Sequence, residues 1–108
     1  MTPIELPERV HEGVAALRDR RPQDAVDALL PVAEDSDLRQ AGDLDDVRAR
    51  VCSLLAQALI ETGRFDEADR WAREALRLAE DLGDDGGIED IRELMQRILM
   101  LLTHERAP

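Results

Sequence analysis

The sequence predicts an all-α fold: two antiparallel helical hairpins followed by a fifth helix. Three observations predict it. Apolar residues recur at i, i+4, i+7 and i+8 along most of the chain, the period of helices with one buried face. Strand-forming residues are sparse and never alternate, and Phe65 and Trp71 are the only aromatics. Breakers interrupt the helical pattern at Arg21-Pro22, Gly42-Asp43, Gly63 and the run from Gly83 to Gly87.

The elements follow in order. Pro7 suits a first helical turn, and a helix to about Arg20 carries Val10, Val14 and Leu17 as one stripe. Pro22 starts a second helix with Ala25, Val26, Leu29 and Leu30. Pro31 cannot donate a hydrogen bond to Asp27 and its ring clashes there, so a kink or an early stop is expected. Asp35 to Asp46 reads as an acidic loop compatible with helical continuation over Ser36 to Ala41.

The strongest hairpin lies between Val51 and Leu82. Val47, Val51, Leu54, Leu55, Ala58 and Leu59 form one face of its first helix, and Ala68, Trp71, Ala72, Ala75, Leu76, Ala79 and Leu82 one face of its second. Gly63 sits where the first must stop. Asp66, Glu67 and Asp69 precede Arg73 and Arg77, the order that complements the helix dipole. The fifth helix spans about 88–102.

Leu55-Ala56-x-x-Leu59, Gly63-x-Phe65, Ala68 and Ala75-Leu76 resemble a tetratricopeptide repeat. Cys52, Leu59 and Glu80 depart from the motif, which prefers Trp, Tyr and Pro there. The resemblance implies a short right-handed solenoid within a single domain, 1–108: repeat 1 over about 7–41, repeat 2 over about 45–82, then the fifth helix. Ala25 aligns on Ala68 at a spacing of 43, whereas Val10 and Leu17 align on Cys52 and Leu59 at 42, so one residue is expected to be missing from the first turn. A further shift of 43 places Cys52, Leu55, Ala56 and Leu59 on Met95, Ile98, Leu99 and Leu102, a third repeat cut short.

Two function classes follow. In this family the first helices line a concave groove that usually takes peptides. Carried over, its positions are Arg50, Ser53, Gln57 and Glu61, with Glu8, His11, Ala15 and Arg18 from the first copy and Glu93, Gln96 and Met100 from the last helix. The family's carboxylate clamp needs Lys and Asn, which Ser53 and Gln57 do not match, so chaperone docking is not expected. The other class is homodimerisation. Leu94, Met95, Ile98, Leu99, Met100, Leu101 and Leu102 cannot all face one side, and those left outside would form an interface.

Composition narrows the chemistry. Net charge is −11 and the basic side chains other than His are all arginine. No basic face for nucleic acid is visible, and the charge favours solubility and encounter with basic partners. Without Lys there is no Schiff-base chemistry and no phosphate-loop lysine. His11, His104 and Cys52 lack metal-ligand spacing. Asp81 to Arg92 resembles a calcium loop only faintly, because Gly83 replaces one ligand and Arg92 stands where a bidentate Glu is required. Neither cofactor nor metal is expected, and no enzyme activity. MTPIELPERV shows no secretory signal and Ile98 to Leu102 is too short to span a bilayer, so a cytoplasmic, non-membrane protein is expected. Arginine- and alanine-rich usage suggests a GC-rich bacterial genome.

Overall fold

A computed structural model describes residues 5–106. Among them are six helices and no strand: α1 (Glu5–Arg18), α2 (Pro22–Glu34), α3 (Ser36–Gln40), α4 (Asp45–Glu61), α5 (Phe65–Leu82) and α6 (Asp85–Arg106). α1 packs on α2, α2 on α4, α4 on α5 and α5 on α6, while α1–α4 and α4–α6 meet only narrowly. The first helices α1, α4 and α6 thus form a ridge backed by α2 and α5. The molecule is 22 Å thick along its shortest axis, about two helix diameters. The all-helical repeat fold expected from periodicity is the observed one.

The two inter-helix turns have the same construction. Arg21 N–H donates to Ala16 O at 2.8 Å, and Arg64 N–H to Leu59 O at 2.9 Å. One residue earlier, Arg20 and Gly63 donate to Leu17 and Ile60, at φ of 59° and 78°. These bonds satisfy carbonyls that the ending helix leaves open. Arg20 therefore occupies the place of Gly63, and α1 stops at Arg18 rather than Arg20. No residue is missing from the first turn, contrary to the alignment expected from the apolar residues. The hairpins correspond at 43 residues throughout.

That register exposes a contact between the paired helices. Gly13 corresponds to Ala56, and Leu29 to Ala72. A Cβ at Gly13 would stand 2.5 Å from Leu29 Cδ2 and Cγ, and Leu29 is fully buried. The first hairpin thus pairs glycine with leucine where the second places two alanines. Both solutions let the helix backbones approach closely while filling the space between them.

Several boundaries differ from expectation. α2 continues through Pro31 to Glu34, because Val32 and Ala33 beyond it are buried at 0% and 1% exposure while Pro31 itself faces outward. The acidic connection holds the short helix α3, capped by Asp35, whose Oδ1 accepts from Leu38 N–H at 2.9 Å. Leu38 reaches the core. α6 is longer than expected at both ends. Gly83 closes α5 at φ 68°, and Asp84 then caps α6 by accepting from Gly87 N–H at 3.1 Å. A side chain at Gly87 would collide with that cap, so the expected breaker run instead starts a helix.

Gly13→Ala gains about 1 kcal/mol of helix propensity but overpacks against Leu29, where forced insertions cost about 1–3 kcal/mol. Urea denaturation should show Gly13→Ala less stable than the wild type. In a double-mutant cycle, Gly13→Ala and Leu29→Ala should couple by about 1 kcal/mol or more, and additive effects would refute the contact.

Candidate interaction surface

Two clefts flank α4 on the ridge side. The first, about 430 Å³, lies between α1 and α4 and is lined by Leu6, Pro7, Val10, His11, Val14, Val47 and Arg50. The second, about 330 Å³, lies where α4 meets the end of α5 and the start of α6. Arg50, Ser53, Leu54, Leu82 and Ile91 line it, with Asp46, Asp84 and Asp90 among its polar groups. Arg50 is common to both. It is exposed and makes no ion pair among the described residues.

Of the groove residues expected from the sequence, Arg50, Ser53 and His11 line these clefts. Gln57, Glu61, Arg18 and Gln96 are exposed but lie outside both, as do Glu8, Ala15, Glu93 and Met100. The 43-residue register explains part of this. Ser53 and Gln57 correspond to Val10 and Val14, one residue before His11 and Ala15, so the first copy contributes valines where a histidine and an alanine were expected. Pro7, not Glu8, corresponds to Arg50. A gap-free alignment anchored on Ala25 and Ala68 would have found them.

On the last helix, Ile91, Leu94 and Ile98 form one buried face, three and four residues apart. Leu94 and Ile98, expected at an interface, are therefore core residues of this chain. Met95, Leu101 and Leu102 are half-buried against that core. Leu99 and Met100 remain outside, at 62% and 70% exposure.

Arg48 was not anticipated from the sequence. Its side chain is 2% exposed, and it bridges α4 to α5 by Nη2 donating to Glu74 Oε1 at 3.4 Å. Asp45 Oδ1 lies 3.9 Å from Nη1, and Nε has no hydrogen-bond partner among the described residues. Glu74 also accepts from Arg77, which reaches Asp81 at 3.2 Å. The bond from Arg77, with Arg77 and Arg48 charge behind it, holds the Glu74 carboxyl below its ordinary value. Cys52 lies one turn beyond Arg48, and burial pushes its thiol up to about 11. It is protonated at neutral pH and is not a thiolate nucleophile.

Among the described residues, no three His, Cys, Asp or Glu side chains stand together as a metal site. No described helix is long and apolar enough to cross a membrane.

A lowered carboxyl pKa stabilises the fold above the unfolded-state value, and that stability is lost as pH falls through the folded value. Glu74→Gln should therefore cost stability at pH 7, by about 1–2 kcal/mol. That is less than the loss for a fully buried pair, because Glu74 is 30% exposed. The gap between variant and wild type should be smaller at pH 3 than at pH 7, because acid begins to protonate Glu74 once pH falls below the ordinary carboxyl range. Denaturant titrations at both pH values check this.

Residues 49–82, the body of the α4–α5 hairpin, match the family model of the tetratricopeptide repeat. No curated protein and no solved structure matches the chain. The α4–α5 hairpin is thus similar to a tetratricopeptide repeat, a unit that generally binds protein partners, and it sits within an all-helical repeat fold.

Proposed function

We propose that residues 1–108 work as one non-catalytic interaction module that receives an extended protein segment across the α1–α4–α6 ridge. The observation that carries this reading is the pair of clefts on either side of α4, joined by Arg50, which makes no ion pair among the described residues. In a chain this rich in carboxylates, an arginine that makes no ion pair among the described residues is available to a partner's backbone carbonyls. Val10, Val14 and Val47 offer apolar contact beside it.

Selection of a random displayed peptide library on the full chain tests the reading. Recovered peptides should bind the wild type and lose at least tenfold in affinity for Arg50→Glu/Gln57→Ala, with circular dichroism unchanged. Recovery of no binding peptide, or equal affinity for both proteins, would refute groove binding.

A second reading rests on a different observation, the exposure of Leu99 on α6 beside half-buried Met95 and Leu102. Self-association through this face would cover them. Sedimentation at tens of micromolar should then give a dimer for the wild type and a monomer for Leu99→Glu. A monomeric wild type would sink this second reading and leave the first untouched.

A further inference from the structure

We infer that the segment received by the ridge pairs a basic residue with an aliphatic one, a Lys or Arg side chain entering the α4–α6 cleft and an aliphatic side chain the α1–α4 cleft. This rests on the groove reading above and adds the chemistry of the partner.

The two clefts differ in kind. Between α1 and α4 the walls are mainly Leu6, Pro7, Val10, Val14 and Val47, with His11 and Arg50 at the side. Between α4 and α6 the lining has Leu54, Leu82 and Ile91, with Leu82 47% exposed, beside three carboxylates and one guanidinium. Asp84 is committed as the cap of α6. Asp46 and Asp90 are exposed and pair with no cation among the described residues. A long basic side chain suits such a cleft, its methylene stem lying on leucine and isoleucine and its charged head reaching the carboxylates.

Charge complementarity selects the occupant. The chain carries −11, so a second copy or an acidic segment would bring like charge to Asp46 and Asp90. A basic segment is attracted by the whole molecule as well as by the cleft. Arg50, between the clefts, would face the backbone carbonyls of a chain crossing α4. The clefts lie on opposite sides of one helix, so their centres are separated by roughly an interaxial distance, about 8–10 Å. A segment in the extended polyproline II conformation rises about 3.1 Å per residue with three residues per turn, so an aliphatic and a basic side chain three residues apart share one face at about 9 Å.

Peptides recovered from the displayed library provide the test. They should be enriched in Lys or Arg about three residues from an aliphatic residue. By fluorescence anisotropy, Asp46→Asn/Asp90→Asn should weaken them at least tenfold, as should Lys→Glu in the peptide, and the loss should shrink as salt is raised. Glu34→Gln/Glu80→Gln removes two exposed charges outside the clefts and should change affinity less than threefold. Peptides without basic enrichment, or equal losses in the two double variants, would overturn the inference. Peptides sensitive to Arg50→Glu/Gln57→Ala but indifferent to Asp46→Asn/Asp90→Asn would overturn it too while leaving the groove reading standing. An empty selection sinks both.

Discussion

How closely two helices of a hairpin can approach governs the rest of this structure. Gly13 against Leu29 closes the first pair, and Ala56, Ala68, Ala72 and Ala75, all fully buried, occupy the corresponding region of the second. Side chains this small contribute little apolar area singly. Their effect is geometric, since they let backbones approach and so bring the larger Leu55, Leu59 and Trp71 into one core. Because each hairpin is thin, its neighbour can seat against it. The ridge of first helices and its two clefts are what remains on the other side.

Arg48 marks where that small-residue packing changes character. At 43 residues on, its place is taken by Ile91, a core residue of α6. Arg48 thus sits where the third unit has an aliphatic side chain and the first has the exposed Glu5. Burial of a guanidinium is tolerable only with carboxylate partners. Glu74 supplies one across the helix pair and Asp45 stands near the other side, leaving Nε unpaired. The result is a polar tie between α4 and α5 at the start of the hairpin. It links the stability of the hairpin to the ionisation of Glu74.

The parts of this architecture written in local periodicity were legible in the sequence. The α4–α5 hairpin, the stop at Gly63 and the start at Pro22 all depend on residues within a turn of the feature they determine. Contacts at long range were not. Gly13 offers no side chain to read, and its importance appears only when Leu29 stands across from it. Arg20 takes a left-handed conformation because the turn's hydrogen bonds require it, and arginine carries no signal for that. The gap placed in the first turn followed, and with it a one-residue shift that set Glu8, His11 and Ala15 in place of Pro7, Val10 and Val14. Arg48 looked like any surface arginine. On the candidate surface, the sequence pointed to Arg50, Ser53 and His11, but Asp46 and Asp90 come from the starts of two helices and are brought to one cleft only by folding.

The same register accounts for the two apolar residues left outside on α6. Gly13, Ala56 and Leu99 share one repeat position. In the first two units the residue there is small and lies beneath the unit's second helix. In the third it is leucine, 62% exposed. A helix could not approach α6 there as closely as α5 approaches α4, since leucine fills the gap that alanine leaves. Met100 shares its position with Val14 and Gln57, on the ridge side, and is exposed for another reason: no further first helix among the described residues stands beside it. One exposed residue therefore belongs to the hairpin side of α6 and the other to the ridge. Their adjacency in sequence does not make them one patch, because neighbouring residues on a helix point about 100° apart.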